Sequence, residues 1–236
     1  MFIYYVPDVI LIAAAVIPAI VLLTMVYRAD RVESEPPGLL MRLVLMGILS
    51  TSIAKLLERL GLLVLNGVFP GETLLYDILL YFGVVGFAEE GAKYVLLKRA
   101  TWYSPQFNCR FDGVVYAAFV SLGFALWENL GYVFMHGLGT AMLRAVTAIP
   151  GHACFGVFMG CWYAQARELA RMGDENASKR LRVLSVVIPA LLHGAYDFLA
   201  TIMDYASGWY FFAFVAVLFV VTYRLIGRLS REDRYI

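Results

Sequence analysis

Residues 86–98 read GFAEEGAKYVLLK, placing two adjacent glutamates, Glu89 and Glu90, and a lysine, Lys93, in an otherwise apolar run. Three later apolar stretches repeat the pattern: one carries Glu128, the next His152, the next His193 and Asp197. An ionisable group at the middle of a bilayer costs from about 2.5 kcal/mol upward, so each is a functional hypothesis by default. Glu89 and Lys93 are four residues apart, share a helix face and can pair. His193 and Asp197 have the same spacing, which lets the carboxylate meet the imidazole and fix its tautomer. Glu89 and Glu90 project about 100° apart around a helix, so both can edge one site, or one can enter it while the other meets a basic partner.

Taken singly, these residues have plainer readings. Glu89 with Lys93 is a neutralising ion pair, and His152 beside Gly151 is a hydrogen-bonded packing residue. The stretch GHACFGVFMG, residues 151–160, has small residues at Gly156 and Gly160, a spacing that first of all lets helices pack closely. Asp77 stands alone near Thr73. The coincidence of acids and histidines on four consecutive apolar segments is what the plainer readings leave unexplained.

The elements that must position them are membrane helices. The chain is 61% hydrophobic and only 16% charged, well below the ~25% charged residues of ordinary soluble domains, and apolar runs of roughly bilayer-spanning length recur throughout. The reading is an all-α polytopic membrane bundle of about seven transmembrane helices, near Pro7–Tyr27, Leu39–Leu57, Thr73–Leu97, Gly113–Phe134, Ala141–Ala166, Leu181–Met203 and Trp209–Leu225. All 236 residues form one integral-membrane domain, with the chemistry in a core of about 73–203. The first run is read as an uncleaved span rather than a signal peptide. Arginine and lysine crowd alternate connections, at Arg28–Arg42, Lys98–Arg110, Arg167–Arg182 and Arg224–Arg234, and are missing from Asn66–Glu72, His136–Thr140 and Asp204–Gly208. By the positive-inside rule the N-terminus is outside and the C-terminus cytoplasmic. Lys55, Glu58 and Arg59, at the outer end of the second span, read as an interfacial turn in which Glu58 pairs with Lys55. A net charge of +1 gives no field for nucleic acid. Cys109, Cys154 and Cys161 have no metal-type spacing and read as free thiols.

Four patterns stand in order on these spans: Glu89-Glu90-x-x-Lys93, Phe124-x-x-x-Glu128, His152-x-x-x-Gly156 and His193-x-x-x-Asp197. Together they resemble the PrsW family of intramembrane proteases, relatives of the CAAX prenyl protease and bacteriocin-processing group. Glu128, where the CAAX branch has histidine, and Lys93, where other members have arginine, fit the PrsW side. The resemblance implies site-1 cleavage of a membrane-anchored anti-sigma factor in a bacterial cytoplasmic membrane, starting a cascade that frees a sigma factor. Glu89, Glu90, Glu128, His152, His193 and Asp197 are the implied catalytic group, supported by Lys93, Phe124 and Gly156.

The chemistry of these residues is consistent with that. Peptide hydrolysis needs an activated water, a stabilised oxyanion and an acid for the leaving amine. Glu89 or Glu90 would carry the proton. Glu128, His152 and His193 offer one carboxylate and two imidazoles, a set resembling catalytic zinc sites with a fourth position open, with Asp197 orienting His193. A metal-free version gives the two histidines the oxyanion role. Counting 1.5 Å per residue puts Glu89 in the cytoplasmic half of its span, Glu128 in the outer half, and His152 and His193 near the middle. The competing class is a proton- or metal-coupled transporter using the same buried groups as a relay, although no internal repeat or pair of broken helices accompanies them.

Overall fold

A computed structural model describes residues 8–69, 73–201 and 208–236. Among these the chain is helical, with one isolated antiparallel bridge between Cys109 and Tyr235. The expected span ends Pro7 and Met203, and parts of the connections Asn66–Glu72 and Asp204–Gly208, lie outside the described residues.

The helices are α1 (Asp8–Ala29), α2 (Pro37–Val68), α3 (Leu74–Ile78), a π-helical segment (Leu79–Val85), α4 (Gly86–Thr101), α5 (Asp112–Val146), α6 (Ala148–Arg171), α7 (Glu175–Thr201) and α8 (Gly208–Arg231). Local chemistry sets several starts. Pro37 opens α2, where its missing N–H has no helical partner to lose. Thr73 caps α3 by accepting from the Tyr76 N–H at 3.1 Å, and Asp174 caps α7 through the Ala177 N–H at 2.9 Å. Apolar side chains such as Ile17, Leu49, Leu63, Val64, Val217 and Val220 are exposed along α1, α2 and α8. An aqueous protein rarely leaves such faces bare, whereas lipid covers them.

Among the described residues, five stretches are long and apolar enough to cross a membrane: Asp8–Ala29, Pro37–Val68, Asp112–Arg171, Glu175–Thr201 and Gly208–Arg231. Two features separate this from the expected seven. α5 and α6 run nearly end to end, so residues 112–171 register as one stretch of 60 residues. The run 74–101 is broken by the π segment, and its longest α-helical piece, α4, has 16 residues. Within α5 the chain turns at Gly137, whose φ of 79° belongs to the left-handed region that glycine enters freely. Residues 112–136 and 138–146 are separate arms. The arm returning through α6 runs antiparallel to the first: a Cβ on Gly156 would lie 2.7 Å from the Ser121 Cβ, and one on Gly160 would lie 2.4 Å from the Gly113 carbonyl oxygen. The small-residue stripe therefore does what helix packing requires of it, and the expected connection at His136–Thr140 is a reversal at a single residue.

α2 corrects one expectation. It does not end in an interfacial turn at Leu57 but continues to Val68, a 32-residue helix about 48 Å long at 1.5 Å per residue. Lys55 and Glu58 lie inside it and, among the described residues, make no ion pair within 4.0 Å; both face a cavity shared with α5 and α7. At the arginine-rich end of the bundle, Trp102, Phe107, Tyr116 and Tyr163 cluster with ring centroids 5.3–5.4 Å apart, Phe107 stacked on Tyr163 and edge-on to Tyr116. The tail after α8 pairs with residues 108–110 through Arg110 N–H to the Arg234 carbonyl at 2.9 Å and Ile236 N–H to the Asn108 carbonyl at 2.7 Å.

Candidate active site

The site forms where α4, the first arm of α5, α6 and α7 converge. α4 follows the π segment, in which the Gly86 N–H reaches back five residues to the Tyr81 carbonyl. Such widened turns recur at functional sites. α7 lies against this segment because two glycines remove the side chains between them. A Cβ on Gly86 would lie 2.4 Å from the Ala190 carbonyl oxygen, and one on Gly194 would lie 2.8 Å from the Phe82 Cα. This contact brings His193 onto α4. Its Nδ1 is 2.9 Å from Glu90 Oε1, and its Nε2 is 3.7 Å from Glu89 Oε2 and 3.4 Å from Asp197 Oδ2. The histidine–aspartate pair expected from i, i+4 spacing is thus formed.

Lys93 is fully buried, with its ammonium 2.7 Å from Glu90 Oε1, 3.4 Å from Glu89 Oε2 and 3.1 Å from His152 Nδ1. It also stands over the Phe124 ring, 4.0 Å from the centroid, a favourable place for a desolvated cation. Ala54, Ala92 and this Phe124 pack together from α2, α4 and α5. An ammonium only donates hydrogen bonds, so Nδ1 of His152 accepts and the ring proton sits on Nε2. That Nε2 is 3.1 Å from Glu128 Oε2. Ser121 Oγ donates to the His152 carbonyl at 2.7 Å and fixes this turn of α6 against α5.

All six expected catalytic residues therefore lie in one connected network, although Glu128 and Asp197 meet it from its outer side. The supporting residues differ in kind: Lys93 and Phe124 touch the reactive groups, whereas Gly156 acts through helix packing. Asp77 is not among the residues lining the cavity.

Two side chains that sequence reading passed over join the site. Arg144 donates to Glu128 Oε2 at 2.7 Å and to Asn129 Oδ1 at 3.0 Å and lies 3.9 Å over the Tyr132 ring. Its signal was present: it is the one arginine or lysine inside the expected span Ala141–Ala166. Phe155 stacks on His193 with centroids 4.8 Å apart and planes at 22°. It stands three residues after His152, but an aromatic in an apolar helix carries no distinguishing signal.

A cavity of about 680 Å³ opens onto this network, lined by Glu89, Glu128, His152, His193 and Asp197 among others. Glu90 is not part of the lining: it is fully buried, held by Lys93 and His193. The two adjacent glutamates thus have different surroundings, one facing the cavity and one locked behind it.

The donor set fits a metal ion. Among the described residues, Glu89, Glu90, His152 and His193 each offer one ligand atom, all within 4.8 Å of one another. Glu90 Oε2 is buried without a hydrogen-bond partner, an orphan that a cation would satisfy. Imidazole and carboxylate donors suit zinc and its neighbours. Glu128, expected as a ligand, is outside this set and engaged by Arg144.

A sequence profile described as PrsW family intramembrane metalloprotease matches residues 35–224. The chain is 32% identical over 214 residues to a Bacillus subtilis (strain 168) protein named Protease PrsW, covering 89% of this chain and 90% of that one. Proteins of the same name from Halalkalibacterium halodurans and Clostridioides difficile (strain 630) are 31% and 34% identical. The first comparison covers 95% of this chain and 99% of the relative, the second 80% and 78%. No solved structure matches the chain.

Proposed function

Since the chain belongs to the PrsW family of intramembrane metalloproteases and is a membrane-embedded peptidase, we propose that it cuts a single-span membrane protein in the cavity above Glu89, and that its substrate is an anti-sigma factor. The observation that carries this reading is the placement of Glu89, Glu128, His152, His193 and Asp197 around one cavity, fed by helices that are distant in sequence.

In this reading seven segments cross the bilayer: the run 74–101 spans as one unit, and residues 112–171 span twice about the Gly137 turn. The N-terminus is outside, in a bacterial cytoplasmic membrane. The cavity lining includes Met135 and Leu143 near that turn and Ala200 and Thr201 at the end of α7, all at the end away from the arginine-rich connections. The substrate accordingly approaches from the extracytoplasmic side, and its scissile bond lies in the outer half of the membrane or just above it.

Glu90, His152 and His193, three of the four clustered donors, would hold a divalent metal, zinc by donor type, and when bound it would supply Lewis-acid polarisation of the carbonyl to be cut. The remaining steps belong to the chain. Glu89 faces the cavity and takes a proton from the attacking water, then delivers it to the departing amine. Glu90, clamped between Lys93 and His193, keeps a fixed negative charge at the back of the site. Asp197 holds His193 by its Nε2, while Arg144 holds Glu128, which in turn holds Nε2 of His152. Phe124 and Phe155 wall the two imidazoles and keep bulk water from competing for them.

The test is a panel of single-span anti-sigma factors incubated with the purified chain in proteoliposomes, with the products mapped by mass spectrometry. The reading predicts one site-dependent cut on the extracytoplasmic side of the substrate. Cuts confined to the cytoplasmic side would overturn the proposed approach. Absence of cleavage across the panel, together with proton or metal flux lost on mutation of the site, would replace the protease reading with the transporter one, which the fold and the relatives do not favour.

A further inference from the structure

A second cluster of ionisable residues lies at the opposite end of the bundle. Asp30, Glu33 and Glu35 lie on the α1–α2 connection, Asp112 opens α5, and Asp233 belongs to the C-terminal tail. One oxygen of three of these carboxylates is fixed by a hydrogen bond. The Tyr116 hydroxyl donates to Glu35 Oε1 at 2.6 Å. The N–H groups of Asn108 and Cys109 donate to Asp112 Oδ2 at 2.9 and 2.7 Å, and that of Phe111 donates to Asp233 Oδ1 at 2.7 Å.

The remaining oxygens are Glu35 Oε2, Asp112 Oδ1, Asp233 Oδ2 and both oxygens of Asp30, all shut off from solvent without a partner. Asp30, Glu35 and Asp112 are only 8, 4 and 0% exposed. Glu33 sits at the rim, accepting from Asn108 Nδ2 at 3.2 Å and the Tyr235 hydroxyl at 3.4 Å. Among the described residues no lysine or arginine comes within 4.0 Å of any of the five; nearby Arg110 and Arg234 pair with Glu168 instead.

A buried carboxylate needs a counter-charge or hydrogen bonds to every lone pair. Here Glu35, Asp112 and Asp233 are each satisfied at one oxygen and open at the other, and Asp30 is open at both, the pattern of ligands held ready for a cation. We infer that Asp30, Glu35, Asp112 and Asp233, with Glu33 at the rim, bind a hard divalent cation, calcium or magnesium, that ties the α1–α2 connection, the start of α5 and the C-terminal tail together. All donors are oxygens, which selects those ions over zinc. No three of the five bring one oxygen each within 4.8 Å of one another. Bare carboxylates repel, and the cation draws them inward on binding.

The test uses the full chain carrying Glu90→Gln, so that the active-site donor set is incomplete, purified in detergent and stripped with chelator. Thermal unfolding is followed while calcium or magnesium chloride is added separately, which also distinguishes the two ions. The midpoint rises by roughly 5–10 °C at about one hundred times the dissociation constant, and the rise is lost on adding Asp30→Asn and Glu35→Gln. Should those changes prevent folding, terbium luminescence excited through Tyr116 in the parent, displaced by calcium or magnesium, gives the same answer. Three results overturn the inference: no shift with either ion and no sensitised terbium; the same shift after the Asp30 and Glu35 changes; or higher stability of the neutralised chain with no cation response, which assigns the open oxygens to protons.

Discussion

Replacing Lys93 by methionine keeps the length of the side chain and removes its charge. Glu90 then loses an ammonium at 2.7 Å and Glu89 loses one at 3.4 Å, both in surroundings where the lysine is fully buried and the glutamate side chains are 0 and 8% exposed. Breaking a buried ion pair by removing one partner costs about 3–5 kcal/mol, because the other charge is left uncompensated. For a chain of this size each kcal/mol moves the thermal midpoint by about 2–4 °C. Lys93→Met is therefore expected to lower the midpoint by roughly 6–20 °C in a chelated, detergent-solubilised sample. Adding Glu90→Gln removes the more tightly paired carboxylate and should recover a large part of that loss, so the double variant is more stable than Lys93→Met alone. Circular dichroism melts of wild type, Lys93→Met and the double variant measure this directly. A Lys93→Met midpoint within about 3 °C of wild type, half the smallest shift the same scaling gives, would refute the argument that this ammonium neutralises the site.

Arg144→Ala should lower kcat about 10–100-fold, the usual cost of losing a partner that orients a ligand-bearing side chain; Arg144→Lys should restore part of it, and steady-state cleavage kinetics separate the two. Gly194→Ala forces a methyl to 2.8 Å from Phe82; it should cost about 1–3 kcal/mol by overpacking and shift His193, lowering both the melting midpoint and the cleavage rate. At the acidic cluster, burial is the main cause that raises the Asp30 carboxyl to about 6, with the Asp233 charge adding to it, and burial likewise raises Glu35 to about 7 against the opposing Tyr116 hydrogen bond. The folded chain then binds more protons than the unfolded one from about pH 4 to 7, so without divalent cation its stability falls as pH rises through that window. Melts between pH 5 and 8 in chelator check this, and Asp30→Asn with Glu35→Gln should flatten the dependence.

Much of the site was legible because intramembrane charge is costly and therefore rare. Glu89, Glu90, Glu128, His152, His193 and Asp197 stood out on that ground alone, and the His193–Asp197 pair followed from i, i+4 spacing. The partner of Lys93 was harder to read. Glu89 at i−4 and Glu90 at i−3 both share its helix face, and only the position of His193 decides that Glu90 is the closer at 2.7 Å. Depth counted along straight helices set Glu89 and Glu128 in opposite halves of the membrane. The site closes because His152 reaches Lys93 with one nitrogen and Glu128 with the other, a bridging role that spacing within one helix cannot reveal. Arg144 depends on the tight turn at Gly137, and the length of α2 on packing that composition does not encode.

The central claim is that Glu89, facing the cavity, carries the proton in peptide hydrolysis while Glu90 is held behind it. The most direct measurement is the single-turnover rate of cleavage of a reconstituted single-span substrate by wild type and Glu89→Gln at equal, verified metal content. A loss of about 10²–10⁴-fold, typical of a missing general base, with unchanged substrate binding is the predicted result. Wild-type cleavage by Glu89→Gln would contradict the account.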